Sequence, residues 1–233
     1  MCGRFSLISS EELIKKIFRL NRAPLQRRFN IAPSQDAPVI RITHDCGDRE
    51  MVWMRWGLVP SWAKDPSIGS RMINAKSETL FDKPSFRKAA RVRRCLIPAD
   101  GFFEWKKEKN AKQPYYIHLR DESPFAMAGL WEVWKAEDGG LLETCTIITT
   151  DANELILPIH NRMPAILPAE ACGVWLDPDR QDPETLQPLL RPYDAHEMAL
   201  RPVSRAVNNP RNDDPSCIEA IEENPSNGDP LLF

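Results

Sequence analysis

The 233-residue sequence lacks the features of membrane, secreted and metal-binding proteins. No apolar run approaches the roughly 18 residues that cross a bilayer, and the N-terminus has no charged start followed by an apolar signal-peptide core. The six cysteines are widely scattered, without a Cys-x-x-Cys pair or a histidine at ligand spacing, so neither a zinc site nor a disulfide framework is indicated. We therefore expect reduced thiols and a cytoplasmic protein, or a nuclear one in a eukaryote, without metal, cofactor or membrane contact.

Patterns of several hydrolytic enzymes are missing as well. The sequence contains no Gly-rich phosphate loop, no Gly-x-Ser-x-Gly elbow and no His-Glu-x-x-His pattern. The sequence therefore gives no motif evidence for nucleotide hydrolysis, serine esterase chemistry or zinc protease chemistry. With 42% hydrophobic and 27% charged residues, the composition is that of an ordinary soluble protein that can bury a sizeable core.

The net charge of −2 hides an uneven distribution along the chain. Residues 1–95 contain 19 Lys and Arg against 9 Asp and Glu, whereas residues 96–233 contain 12 against 24. A basic half with interleaved Trp and Phe is compatible with a polyanion such as nucleic acid. The alternative is that the two halves fold together and pair their opposite charges, and charge alone leaves both open.

The order of apolar, β-branched and turn-forming residues predicts a single α+β domain with a β-rich middle and short flanking helices. Strands are predicted at 38–42, 51–56, 95–98, 102–105, 115–119, 125–134, 141–150 and 198–203, the first two as a hairpin. Helices are predicted after Ser9, which stands at capping-box spacing from Glu12, and at 86–94, 169–175 and 183–190. Residues 21–37 are predicted to be a loop, and 57–76 a long connection of the functional kind. We expect the domain to span 1–211, followed by an acidic, mobile tail over 212–233.

Cys2 follows the initiator methionine, so removal of Met1 would make it the N-terminal residue. Its α-amine, with a reference pKa of about 8, holds far more neutral base at pH 7 than a lysine with a pKa of about 10. An amine and a thiol on adjacent carbons can trap an aldehyde, the amine as a Schiff base and the thiol by closing a thiazolidine ring. The plainer interpretation is a small buried residue, since a free cysteine is usually an inert hydrophobe.

Three further residues carry side chains suited to chemistry beside such a nucleophile. Glu104 lies between two aromatic residues on a predicted strand, so it either points to solvent or faces a cleft in which burial raises its pKa. His160 stands in a turn-like segment, either as a structural residue or as a proton carrier near neutral pH. Asn74 offers a neutral donor and acceptor that would orient a hydroxyl or an amine.

A set of motifs runs in order from residue 2 to about residue 209. They are MCGRF (1–5), RFNIAP (28–33), WGLVP (56–60), NAKSET (74–79), CLIPADGFFEW (95–105), IHNRMP (159–164) and VSRAVN (203–208). Together they closely resemble the SRAP family, the SOS response-associated peptidases. The resemblance implies a single-domain α+β fold that recognises abasic sites in single-stranded DNA as part of the DNA damage response, which we expect of a monomer.

The resemblance also implies roles for individual residues. Cys2 would crosslink to the ring-opened abasic sugar, with Glu104 and His160 moving protons and Asn74 orienting the reacting groups. The candidates for DNA binding are Arg4, Arg28, Lys76, Arg162 and Arg205 at phosphates, with Trp62 stacking under a base. Ala63 stands where some relatives have a second tryptophan, and Lys76 replaces a common arginine, which removes a planar bidentate fork.

Two other functions stay open at this point. The family name implies a cysteine-type autopeptidase, in which Cys2 attacks the carbonyl of the residue before it. The basic half of the chain also fits a module that binds single-stranded DNA without any covalent step.

Overall fold

The computed structural model describes residues 2–43, 47–108 and 111–222, and in these ranges it confirms a β-rich α+β domain. The strands are β1 (Phe5–Leu7), β2 (Arg28–Ile31), β3 (Asp36–Ile42), β4 (Arg49–Trp56), β5 (Asn74–Lys76), β6 (Arg94–Ala99), β7 (Gly101–Lys107), β8 (Lys112–Leu119), β9 (Phe125–Lys135), β10 (Leu141–Asp151), β11 (Arg162–Pro164), β12 (Ile166–Leu167) and β13 (Met198–Pro202). The α-helices are α1 (Glu11–Phe18), α2 (Arg87–Val92), α3 (Ala169–Leu176) and α4 (Pro183–Leu186). Short 3₁₀ turns lie at Pro66–Arg71, Ser77–Thr79, Gln187–Leu189, Ala195–Glu197, Arg205–Asn208 and Pro215–Cys217. No helix in the described ranges is long and apolar enough to span a bilayer.

Five strands of the larger sheet close into a barrel. Around the ring, β4 pairs with β3, β3 with β6, β6 with β9 and β9 with β10, and β10 returns to β4. The closing pair is parallel, with Cys145 opposite Trp56, whereas the other pairs are antiparallel. Closure satisfies the backbone groups that an open sheet would leave exposed at its edges. The predicted hairpin is confirmed as β3 and β4, while its turn residues 44–46 lie outside the described ranges.

The smaller sheet holds the N-terminal strand in its interior. Its strand order is β13–β8–β7–β1–β2, so Phe5 lies opposite Phe102 on one side and Ile31 on the other. All residues of β1 are buried, and the ring of Phe5 meets the indole of Trp56 edge-on with centroids 5.3 Å apart. The first residues of a chain are usually poorly ordered unless such pairing holds them. This pairing fixes the position of Cys2.

Near the N-terminus, the structure differs from the sequence prediction in the cap of α1 and in the strand β2. Contacts with residues distant in sequence cause both differences. Helix α1 is capped by Ser10, whose side chain accepts the N–H of Leu13, while Ser9 bonds instead to the carboxylate of Asp100. That carboxylate also accepts the N–H groups of Ile8 and Ser9, which leaves the next serine to begin the helix. Residues 21–37, predicted to be a loop, contain β2, which forms by pairing with β1 rather than from its own basic sequence.

The beginning of the predicted mobile tail is packed onto the domain. The carboxylate of Asp213 accepts the backbone N–H groups of Phe29 and Asn30 and the side chain of Arg28. Cys217 is fully buried, and Ala220 forms a β-bridge with Val203. Residues 212–222 therefore belong to the folded structure because their polar groups supply partners for β2, and residues 223–233 lie outside the described ranges.

Ion pairs join the basic front half of the chain to its acidic back half. Arg28 pairs with Asp213, and Arg41 bonds to Glu143 at 2.6 Å. Such pairing matches the interpretation that the two halves fold together, and it uses part of the positive charge inside the protein.

Asn30 ties three segments together from a fully buried position. Its Oδ1 accepts from Arg4 at 2.8 Å, and its Nδ2 lies 2.7 to 3.2 Å from the carbonyl oxygens of Val207, Asn209 and Asn212. The amide thus joins the N-terminal strand to the segment after β13.

We predict that Asn30→Ala lowers the free energy of unfolding by about 2–3 kcal/mol, because several buried polar groups lose their partner at once. Chemical denaturation followed by tryptophan fluorescence measures the change. Gln181→Ala, which truncates an exposed amide, is the matched control and is expected to stay within about 0.5 kcal/mol of the wild type. Equal losses in the two variants would contradict the central role of Asn30.

Candidate functional site

The β1–β7 ladder brings Cys2 to the face where Glu104 lies. Phe5 is opposite Phe102, and the N–H of Phe103 donates to the carbonyl of Arg4 at 2.9 Å. Continuing this antiparallel register places residues 2 and 3 beside 104 and 105. Glu104 itself is held in β7 opposite Tyr115 of β8.

Strand β10 delivers the other two residues to the same place. It pairs in parallel with β5, where Ile147 lies opposite Asn74, and antiparallel with β11, where Asp151 lies opposite Arg162. The Nδ2 of Asn74 donates to the backbone carbonyl of Cys2 at 2.8 Å. The Nδ1 of His160 is 3.9 Å from Oε1 of Glu104. The residues predicted to carry the chemistry, which are far apart in sequence, therefore meet where the two sheets join.

Glu104 is a buried acid. Only 3% of its surface is exposed, so it does not take the solvent-facing orientation that strand alternation left open. Burial raises the pKa of its carboxyl group, and the nearby His160 partly opposes that rise. A carboxyl group with a raised pKa holds its proton closer to neutrality, which is the property required of a general acid.

His160 is oriented by the backbone that follows it. Its Nδ1 accepts the N–H of Arg162 at 3.0 Å, so the neutral ring carries its proton on Nε2. Its own N–H donates to the carbonyl of Ile156 at 3.0 Å, which fixes the turn before it. The side chain is 29% exposed, so protons can pass between the ring and solvent.

The thiol of Cys2 is fully buried. Burial raises the pKa of the thiol, the charge of Glu104 adds to the rise, and the N–H of Arg4 opposes it. The sulfur is therefore mainly protonated at neutral pH. A thiol that keeps its proton is a weak nucleophile, because the thiolate is the reactive form.

An open cavity of about 460 Å³ reaches Glu104 and His160 from the surface. Its lining residues are Glu104, Trp105, Lys107, Lys112, His160 and Asn208. The Oδ1 of Asn74, whose Nδ2 donates to Cys2, is buried and has no hydrogen-bond partner in the described ranges. A buried acceptor without a partner is uncommon, and it suits a group that binds a substrate or a newly formed amine.

Three arginines predicted to contact DNA donate most of their hydrogen bonds within the protein. Nη1 of Arg4 donates to Asn30 and to the carbonyl of Val207, and Arg28 donates to Asp213 and to Gln35. Arg162 is only 9% exposed. Its acceptors are Glu78, Asp151 and the carbonyl of Thr149. These side chains hold the strands that frame the site.

The other predicted DNA contacts are on the surface. Lys76 and Arg205 are exposed, and Trp62 is 60% exposed. The loop that carries Trp62 is fixed from behind, because the indole of Trp134 donates to the carbonyl of Ala63 at 2.7 Å. Gly57 has φ 131°, and a Cβ there would lie 2.6 Å from the carbonyl oxygen of Gly69, so only glycine allows this loop to fold back so closely.

Sequence reasoning did not name Lys107, Lys112 and Asn208 as site residues. The repeated lysines in KKEKNAK (106–112) were the available signal, but their register on a hairpin beside the cavity depends on the β7–β8 pairing. In the described part of the chain, no group of three or more His, Cys, Asp or Glu is arranged to hold a metal ion.

Burial of Glu104 predicts a pH-dependent cost to stability. The folded pKa is raised above the unfolded value of about 4.5, so the wild type loses stability relative to Glu104→Gln as the pH rises from below that value through the folded pKa. Unfolding free energies measured between pH 3.5 and 8 for both proteins test this. A difference that does not change with pH would contradict it.

Comparisons with known proteins agree with this fold. The profile of a family described as SOS response associated peptidase (SRAP) matches residues 1–210. The abasic site processing protein YoqW of Bacillus subtilis is 46% identical over 225 residues, which covers 94% of this chain and 100% of the relative. The abasic site processing protein HMCES of Gallus gallus is 38% identical over 224 residues, covering 83% of this chain and 66% of the relative. A crystal structure of a protein from Bacteroides thetaiotaomicron superimposes with a TM-score of 0.84 at 30% identity, covering 95% of this chain and 100% of that one.

Proposed function

Because the chain belongs to the SOS response associated peptidase (SRAP) family, we propose that it processes abasic sites in single-stranded DNA through a covalent bond to Cys2. The observation that carries the proposal is the hydrogen bond from Asn74 to the carbonyl of Cys2, beside Glu104 and His160. Relatives such as YoqW and HMCES are named as abasic site processing proteins. An abasic deoxyribose in its open form is an aldehyde, and an aminothiol is a specific trap for aldehydes.

The covalent steps begin once Met1 has been removed. The α-nitrogen of Cys2 attacks C1′ of the open sugar, forming a C–N bond and a hydroxyl group, and loss of water then gives an imine. The thiol adds across the C=N bond, so that sulfur bonds to C1′ and the thiol proton passes to nitrogen. The product is a thiazolidine ring, and no oxidant or reductant takes part.

The neighbouring side chains supply the proton transfers that these steps need. Protonated Glu104 donates to the sugar oxygen during ring opening and to the hydroxyl group that leaves as water. His160 lies close enough to exchange protons with Glu104 through the substrate or a water molecule, and its Nε2 relays them toward solvent. Asn74 holds the main chain of Cys2, and its Oδ1 accepts a hydrogen bond from the attacking amine.

The exposed residues around the site provide the path for the DNA strand. Trp62 presents its indole from a fixed loop, and stacking of a base on such a ring contributes about 1–3 kcal/mol. Lys76 and Arg205 contact phosphates, whereas Arg4, Arg28 and Arg162 act mainly by holding the strands in place.

The first test is crosslinking of mature protein to an oligonucleotide with one abasic site, followed on denaturing gels. We expect a stable covalent species with abasic DNA and none with intact DNA. Cys2→Ala loses the stable species, because its amine forms only a labile imine. Cys172→Ala, a buried cysteine on α3, is the control and crosslinks normally. An undiminished stable species with Cys2→Ala would rule out the thiazolidine.

Glu104→Gln keeps the size of the side chain and removes the acidic proton. We predict that it slows crosslink formation about 100-fold or more, as expected for loss of a general acid. Time courses under single-turnover conditions between pH 5 and 8 measure the rate. A variant as fast as the wild type across this range would show that Glu104 transfers no proton.

A second candidate is self-processing, supported by the position of the Cys2 thiol beside Glu104. Here the sulfur attacks the carbonyl of Met1, the peptide nitrogen leaves as the free amine of Cys2, and water hydrolyses the thioester. Intact-mass measurement of proteins made in a host with normal methionine trimming distinguishes it. Met1 retained only in Glu104→Gln or His160→Gln supports self-processing, while its loss from every variant assigns the removal to the host.

A further inference from the structure

The hairpin formed by β7 and β8 places two lysines at the mouth of the cavity. Lys107 lies directly opposite Lys112 in the antiparallel register, and both side chains are exposed. Both line the same cavity as Glu104 and His160. Their positive charges are therefore available to a ligand that enters the cavity.

This pairing is unfavourable for the protein alone. Residues directly opposite in an antiparallel pair have Cβ atoms about 5 Å apart, and like charges at such positions are destabilising. Within the described ranges, neither lysine forms an ion pair or a side-chain hydrogen bond. A cross-strand pair of like charges without internal compensation attracts an anion, which would relieve the repulsion.

The spacing along β7 relates these lysines to the reacting atoms. Lys107 follows Glu104 by three residues, which is about 10 Å along a strand. The flexible lysine side chains can therefore reach a phosphate within about two nucleotides of a sugar held at Glu104. Trp105 and Asn208, which line the same cavity, are joined by a hydrogen bond of 2.7 Å from the indole to Oδ1.

We propose that Lys107 and Lys112 together form a phosphate subsite, which holds the DNA backbone one or two nucleotides from the abasic sugar on one side. This inference rests on the proposed function and adds a place where the strand leaves the cavity.

The matched variants are Lys107→Ala/Lys112→Ala and, as a control, Lys15→Ala/Lys16→Ala on α1. Helix α1 lies at the start of β4, because Arg49 donates to the carbonyl of Phe18. The strand β10, which carries the site residues' partners, pairs with Trp56 at the other end of β4, so the control lysines are remote from the site. Binding to abasic single-stranded DNA is measured with Cys2→Ala in all backgrounds, so that no stable adduct forms. We expect the hairpin variant to bind several-fold more weakly and to lower the slope of log affinity against log salt by about 1.4, and the control to change neither.

Neutral methylphosphonates, introduced one at a time along the oligonucleotide, locate the contact. In the wild-type background, one or two positions on one side of the abasic site should weaken binding, and the hairpin variant should be insensitive at those positions. Lys107→Arg/Lys112→Arg should restore the wild-type pattern. Unchanged affinity and salt slope in the alanine variant, or equal sensitivity of both proteins at every position, would overturn the subsite.

Two controls distinguish a wrong subsite from an unfolded variant and from failure of the proposed function. The alanine variant should be as stable as the wild type or slightly more stable, since it removes a like-charge pair, so unfolding does not explain weaker binding. The crosslinking assay with Cys2 intact tests the proposed function independently. If the wild type crosslinks abasic DNA while the hairpin variant binds normally, only the subsite is wrong.

Discussion

The insertion of β1 between β2 and β7 is the constraint on which the rest of this structure depends. It turns the beginning of the chain into an interior strand, so a residue that would otherwise be mobile is held against Glu104 and Asn74. Reactivity at a chain terminus and precise placement normally oppose one another, because free ends lose their order. Here the backbone pairing provides the order that a chain end usually lacks.

The pocket around Cys2 combines groups whose acidities are shifted by a common cause. Burial raises the pKa values of both the Cys2 thiol and the Glu104 carboxyl group. The same desolvation that keeps the sulfur from reacting with solvent oxidants keeps a proton available on the carboxyl group. His160, which is partly exposed, connects this dry interior with the aqueous cavity.

The sequence predicted most strands because their apolar runs are long and bounded by clear turns, as in β3, β4, β9 and β10. It also named Cys2, Asn74, Glu104 and His160, which the fold brings together. Strand β2 and the packing of Asp213 and Cys217 were not predictable, because distant partners create them. The internal hydrogen bonds of Arg4 and Arg162 were not predictable for a similar reason: a positive charge in a sequence does not reveal whether its acceptor is a phosphate or a carbonyl of the same protein.

The hydrogen bond from Arg4 to the carbonyl of Val207 joins residues 203 positions apart in the chain. Strand β1 also needs β7, which is synthesised long after it, so a nascent polypeptide on the ribosome cannot assemble the pocket until translation is nearly complete. In the unfinished chain, Cys2 therefore lacks the contacts with Asn74 and Glu104 that the folded protein provides. The long separation delays assembly of the pocket around Cys2 until the protein that encloses it has been made.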